Sequence, residues 1–464
     1  MSFFIKESGK SKTKNRKRTV AEKSQVKKKI KRQRNEEIES DSDESENERK
    51  VDDHIEASES EEETVQEKRL RLTKLYLSQL EEEEREKNEL KEIDEDAVAH
   101  RLKDEILEQR GKLQRKVAET LVAPSSDDIR ILRGHKLPLT CLVVSSDSQF
   151  IYSASKDGAI IKWNFETGKK IKVIAGGRKG TEETHIGHTT HVLALAISTD
   201  NKFLASGCKN KVIHIWNPQT MDRIHTFTGH RDSISGLAFR KGTHQLFSAS
   251  HDRSVKVWNL DEMAYVETLF GHQDSITAID SLTRDRAITA GSRDNTIRIW
   301  KIPEESQLVF KNQSGSIDCV RLINEEHMIS GGEDGSVAIW SIMKKKPIVV
   351  VPKAHDNATS SEGGLPQENW ISSVAALHNS DLVATGTCSR DSFVRLWLCG
   401  AGYRSLTPLF NIPVMGTVND LQFTSDGRHL VAAVGQEHKW GRWWRLKNAK
   451  NSIVIVKLNR KGEM

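Results

Sequence analysis

An aspartate stands six residues before a tryptophan again and again in this chain, at Asp157 and Trp163, Asp252 and Trp258, Asp294 and Trp300, Asp334 and Trp340, and Asp391 and Trp397. Asn210 takes the aspartate's place before Trp216. Twenty-two residues upstream of that position lies a Gly-His pair in four units: Gly134-His135, Gly187-His188, Gly229-His230 and Gly271-His272. Lys311-Asn312 fills the slot in the fifth unit, and Ala354-His355 opens the sixth after an insertion. Successive tryptophans are 53, 42, 42, 40 and 57 residues apart, so the first and fifth intervals contain extra chain. A fixed period of this size means one supersecondary unit stacked on copies of itself. Between the anchors apolar residues alternate with period two, as in Ile234 to Phe239 and Val255 to Trp258, with turn residues between the runs. That is the pattern of short antiparallel strands, about four per unit.

Four strands per unit with a Gly-His opening and a Trp-ended strand resembles the WD-repeat β-propeller. The resemblance implies an all-β, seven-bladed WD40 propeller over residues 127–460. The seventh unit is degenerate: Val418 to Phe423, then Asp426-Gly427, then Trp440-Gly-Arg-Trp-Trp444. Two segments compete for the strand that closes the ring, Ile129 to Leu132 and Ile453 to Leu458. His, Asp and Ser together suggest a catalytic triad, but a set such as His230, Ser250, Asp252 and Trp258 recurs blade after blade, whereas a triad occurs once. These groups are read as scaffold that satisfies its own buried hydrogen bonds.

The first 119 residues are of another kind, with Phe3, Phe4 and Tyr76 as their only aromatics. A segment so poor in aromatics cannot bury enough apolar area to offset its ordering entropy. Residues 1–34 carry a net charge of +12 and residues 35–67 one of −14. Residues 1–66 therefore read as a disordered basic-then-acidic arm. The basic clusters from Lys10 to Arg18 and from Lys27 to Arg34 have the spacing of a bipartite import signal, with Lys14, Arg16, Lys17, Arg18, Lys27, Lys28, Lys29, Lys31 and Arg32 as its cations. Ser40, Ser42, Ser45, Ser58 and Ser60 lie among acids and suit an acid-directed kinase. From 67 to 121, leucines and isoleucines recur near helical spacing among many charges, which reads as a charged helical segment. It serves either as a clamp for a partner or as a cover lying on the propeller.

Several classes fall away. The aliphatic runs of the body, such as Ile348 to Val351, are far below the ~18 residues a membrane span needs. Five scattered cysteines with no C-x-x-C pair fit buried thiols in a reducing compartment, with no zinc site. Gly9-Lys10-Ser11 mimics the end of a P-loop but lacks its first glycine, and neither a G-x-S-x-G nor an H-E-x-x-H is present. The expectation is a protein with no enzymatic activity, no cofactor, no metal, no membrane and no small-molecule substrate.

The tight turn that carries each Asp or Asn should lie at one rim of its blade, so the residue before it projects onto one face of the ring. Those residues are Lys156, Lys209, His251, Arg293, Glu333 and Arg390. Lys211 and Arg253, just after the turn position, and Arg231, beside the third Gly-His, extend the set. A ring of cations around one funnel suits a phosphate backbone. The segment His438 to Lys447 mixes tryptophans with cations, as base stacking needs.

Strings between the repeat motifs carry a narrower resemblance. They include Glu67 to Leu77, Leu107 to Gly111, Lys301 to Phe310, Ile323 to Met328, Trp370 to Leu377 and Gly435 to Trp444. Over about 66–458 the chain resembles the WD-repeat family of U3 small nucleolar RNA-interacting proteins, propeller components of the U3 small nucleolar ribonucleoprotein. The resemblance implies a nucleolar, RNA-binding scaffold acting in pre-ribosomal RNA processing and small-subunit (18S) biogenesis. Its implied partners are the B/C-box region of U3 small nucleolar RNA, a small kink-turn-binding protein and other small-subunit processome proteins. The competing reading is a nuclear protein-interaction propeller, a chromatin reader or ubiquitin-ligase adaptor, that takes a peptide in its funnel.

Overall fold

Seven four-stranded antiparallel sheets form a closed ring in the computed structural model, which describes residues 65–87, 95–109 and 112–461 apart from 179, 182–184, 312–314, 356–368, 389–392 and 443–444. Import cations Lys14 to Arg32, the serines from Ser40 to Ser60, and Arg390 lie outside the described residues. Blades one to six begin with inner strands Leu139–Val144, Val192–Ile197, Ile234–Phe239, Ile276–Ser281, Ile317–Leu322 and Ile371–Ala376, and blade seven with Thr417–Phe423. The alternating sequence puts one apolar set against each neighbouring blade, and the fully buried Trp216, Trp340 and Trp397 lie in these inter-blade layers.

All seven inner strands slip register against the strand that follows, six at their second residue and blade seven at its third, Asn419. Such a bulge re-aims one side chain per strand. Thr140 and Thr277 each donate to the inner strand of the next blade, at Val192 O (2.6 Å) and Ile317 O (2.7 Å). Ser372 does the same to Val418 O (2.5 Å), and Asn419 Nδ2 to Leu139 O (2.6 Å). The bulges therefore tie the blades together around the axis.

Both candidates for the closing strand belong to blade seven. Ser452–Lys457 is its third strand, and Ile129–Leu132 pairs antiparallel outside it, from Ile129 opposite Val456 to Leu132 opposite Ile453. Trp440, the tryptophan of the degenerate seventh unit, lies in no strand but in the loop 436–451 that replaces the short turn found in the other blades.

Gly-His units supply the polar cores. In blade three, Asp252 faces His230 Nδ1 at 2.9 Å, and an acceptor-only carboxylate places the proton there. Nε2 then accepts from the Ser248 hydroxyl (2.7 Å), which in turn accepts from Trp258 Nε1 (2.8 Å). The serine of the set is Ser248, not Ser250, whose hydroxyl binds Asp232 O. Ser153, Ser206, Thr289 and Thr385 hold the same bridging place in blades one, two, four and six. Blade five, with no histidine in its slot, keeps the bond from Trp340 Nε1 to Ser330 (2.8 Å). All five cysteines are free and buried.

Blade two holds a pair of histidines whose burial makes the fold sensitive to acid. Burial holds His188 well below its ordinary value and His214 at about 4, helped by the Arg223 charge, and the two rings lie 4.3 Å apart. Their unfolded value is 6.5, so the unfolded chain takes up protons first and stability falls as pH drops below it. A shift of this size is worth about 3 kcal/mol, lost between pH 6.5 and about 4. Urea midpoints at pH 7, 5.5 and 4.5 should fall in that order, and His214→Gln should flatten the decline. Equal midpoints would refute it.

The chain divides into units at 1–76 and 77–464. Helix α1 spans Val65–Lys87, and α2 spans Glu95–Gln109 in the second unit. The helical pattern expected through 121 stops at α2, because the backbone donors that follow are captured by blades six and seven. Arg115 N binds Asn379 O, and Val117 N and Ala118 N bind the Asp381 carboxylate at 2.8 and 3.0 Å. Val122 N binds Asn459 O, while Lys461 N binds Thr120 O. Leu113, Ala118 and Leu121 are buried beneath this strap.

Candidate nucleic-acid interface

The turns between second and third strands do lie on one rim, but their cations are not equivalent. Lys209, Lys211, Arg231, Arg253 and Arg293 are exposed, and none has an ion pair among the described residues. Lys211 and Arg253 adopt left-handed φ of 68° and 69°, the conformation these tight turns demand. Lys156 corrects the expectation. It is only 8% exposed, its ammonium donates to His438 O (2.7 Å), and it lies 3.5 Å from the Glu437 carboxylate. A cation so occupied is unavailable to a phosphate. Sequence spacing could not show this, because its partners lie 281 and 282 residues away. Acids also stand on this rim: Asp232 and Asp274 lie near His251, in addition to Glu333.

Missing from the sequence reading was the loop 436–451 as a plug. Glu437 is 4% exposed and is approached by Lys156, by Arg442 Nε at 3.1 Å and by Arg445 Nε at 3.9 Å. Asn419 Nδ2 and the Thr417 hydroxyl both donate to Glu437 O at 3.0 Å, and Lys439 N donates to Asn419 Oδ1 at 2.9 Å. On the far side of the ring Trp440 lies against His251 of blade three, with ring centroids 4.4 Å apart. Burial holds that imidazole below its ordinary value, so it meets the indole as a neutral ring. Lys439 points into the mouth of the axis, beside the bulged residues. Burial and Glu333 push the Asp318 carboxyl there up to about 7, against the pull of Lys439.

The space left beneath this plug is about 70 Å³, and ligand sites are usually ~300 Å³ or more. The opposite end of the axis keeps a cavity of about 350 Å³, crossed by Arg321 between Asp280 (3.7 Å) and Asp420 (3.6 Å). On the plugged face, by contrast, the loop adds the exposed Arg442, Arg445 and Lys447 to the exposed turn cations. A broad cationic surface with no open shaft suits an extended polyanion better than an inserted side chain. The His-bridging hydroxyls accept from their tryptophans, Ser153 from Trp163, Ser248 from Trp258 and Thr385 from Trp397 among them, and all three are fully buried. Among the described residues no group of three or more His, Cys, Asp or Glu could hold a metal ion, and no described helix is long and apolar enough to cross a membrane.

Comparison with protein families matches the WD domain, G-beta repeat, at 126–164, 180–217, 221–259, 263–301, 304–341 and 363–397. These are the first six units; the degenerate seventh lies outside the matched ranges. U3 small nucleolar RNA-interacting protein 2 of Mus musculus is 59% identical over 399 residues, covering 86% of this chain and 83% of the relative, and the Homo sapiens protein gives the same figures. Ribosomal RNA-processing protein 9 of Saccharomyces cerevisiae is 26% identical over 536 residues, covering 89% and 93%. Among solved structures, one titled "Structure of U3-55K" matches with a TM-score of 0.69 and 57% identity, over 72% of this chain and 100% of that one. Another, "Crystal structure of RRP9 WD40 repeats", matches equally well over 73% and 100%.

Proposed function

Because the chain belongs to the WD-repeat family of U3 small nucleolar RNA-interacting proteins, we propose that it is a non-catalytic RNA-binding scaffold of the U3 small nucleolar ribonucleoprotein, serving pre-ribosomal RNA processing toward the 18S species. The observation that carries the RNA-binding part is the face where Lys209, Lys211, Arg231, Arg253 and Arg293 stand exposed around a plug bearing Arg442, Arg445 and Lys447. In this reading the B/C-box region of the U3 RNA crosses that face. A small kink-turn-binding protein sits beside it, and other small-subunit processome proteins take the remaining surfaces. The basic clusters of the arm direct the protein to the nucleolus, and phosphates on its serines deepen the negative charge of the acidic block. A peptide reader would need an open funnel, and on this face the chain's own loop occupies it.

Crosslinking the protein to RNA in cells and sequencing what is bound tests the proposal: strong enrichment of U3 RNA is expected, and no enriched small nucleolar RNA would overturn it. The face has its own test. Reversing Arg231, Arg253 and Arg293 together to glutamate should lower the slope of log K against log salt by about 2, at ~0.7 per phosphate contact on a single strand. An unchanged slope would put the RNA elsewhere.

A further inference from the structure

Among the described residues of the propeller, only two aromatic side chains are exposed, Phe270 at 74% and Tyr265 at 50%, and both lie on the outer strand of blade three, Ala264–Phe270. Outer strands of blades one, two, four and five expose aliphatic side chains instead: Ile171 and Val173, Ile224, Val309 and Val350.

Both aromatics share one face of the strand. Phe270 is paired with Ser254 and Thr268 with Lys256, and a register slip then brings Tyr265 opposite Trp258. Lys256 Nζ donates to the Thr268 hydroxyl at 2.7 Å and lies 4.8 Å from the centre of the Tyr265 ring. The Tyr265 hydroxyl meets the same Thr268 oxygen at 2.6 Å. Behind them the packing is rigid, with Tyr265 edge-on to Trp258 at 5.6 Å and Trp258 stacked on Phe227 of blade two at 4.6 Å. Gly229 borders this groove at a φ of +139°, which a side chain would strain, so the wall beside Lys256 stays low.

The upper end of the groove meets the cationic rim. Ser254, the partner of Phe270, directly follows Arg253, and Asp252 beside it accepts from Arg231 N at 2.8 Å. The lower end meets acids at Asp261 and Glu262. Cations at the top, a rigid aromatic pair with a lysine between, and acids at the bottom fit a short stretch of single-stranded RNA entering from the rim.

We propose that this edge of blade three is a stacking site for unpaired nucleotides: Phe270 and Tyr265 each stack a base, and Lys256 and Arg253 meet the phosphates. The site rests on the reading that the adjoining face binds RNA. Their partners Ser254 and Trp258 are four strand steps of ~3.3 Å apart, which leaves room for about two nucleotides. Stacking on an aromatic is worth ~1–3 kcal/mol per base and tolerates any base.

The test measures binding of a fluorescein-labelled oligouridylate twelve-mer to the full-length protein by anisotropy, across a salt series. The Phe270→Ala/Tyr265→Ala double variant should bind at least about tenfold more weakly with an unchanged salt slope, because stacking releases no counterions. Phe270→Trp and Tyr265→Phe should bind like the wild type, and thermal unfolding should show the double variant folded. If the double variant binds normally while the Arg231/Arg253/Arg293 reversal abolishes binding, the stacking site is wrong and the cationic face stands. If neither change affects binding, the reading of the face fails as well. If the double variant keeps RNA affinity but loses a protein from purified ribonucleoprotein, the edge is a protein-docking surface and the proposal is overturned.

Discussion

Removing residues 1–132 is expected to abolish a soluble, folded propeller, although every Gly-His unit would remain. The truncation takes away the outer strand of blade seven and exposes Ser452–Lys457, an apolar strand with unpaired backbone groups, to solvent. It also uncovers the surface beneath Leu113, Ala118 and Leu121. Burying a leucine side chain contributes ~1.5–3 kcal/mol. The Asp381 carboxylate also loses the amide donors of Val117 and Ala118, which water replaces once the strap is gone. A hydrogen bond to a charged group contributes ~1.5–3 kcal/mol net of that replacement. The sum rivals the ~5–15 kcal/mol by which a domain is stable. Soluble yield and thermal unfolding of chains starting at 95 and at 133 would check this. A cooperative transition at the same temperature in both would refute it.

The second large effect is expected at Glu437. Glu437→Ala leaves Lys156 buried with only a carbonyl partner, again a loss of about 3–5 kcal/mol for a broken buried pair. That cost is capped if the loop undocks, so two measurements are needed. Denaturant unfolding reads global stability, and trypsin reads exposure of the bonds after Arg442 and Arg445. Either the midpoint falls or cleavage accelerates sharply. Replacing both partners, Lys156→Met with Glu437→Leu, should recover much of the loss, because an apolar pair needs no desolvated charge. A single variant as stable and as protease-resistant as the wild type would show that the pair does not hold the plug.

How much of this was legible beforehand depended on distance along the chain. Strands, turns and seven blades followed from local alternation and from the Asp-to-Trp spacing. The Ser248 bridge was missed by two residues: Ser248 and Ser250 point to the same side of one strand, and spacing alone does not tell which meets His230. Lys156 was misjudged because burial by Glu437 and His438 is a long-range event that no local pattern carries. The apolar recurrence read as helical through 121 overruns the helix, because past Gln109 several strap amides bind blades six and seven, which no local pattern carries. Trp440 resembles a repeat tryptophan in type but not in environment, since it lies in a loop and meets His251 of blade three.

Ring closure by residues 129–132 against 452–457 has a consequence for biosynthesis. The outer strand leaves the ribosome more than 300 residues before its partner. At ~5–20 residues per second that is a wait on the order of 20–60 s. During the wait Ile129 to Leu132 is an unpaired strand, able to pair with the same site on a neighbouring nascent chain. Polysomes that crowd such chains together should therefore favour strand-swapped dimers, and slow, well-spaced translation should favour closed monomers.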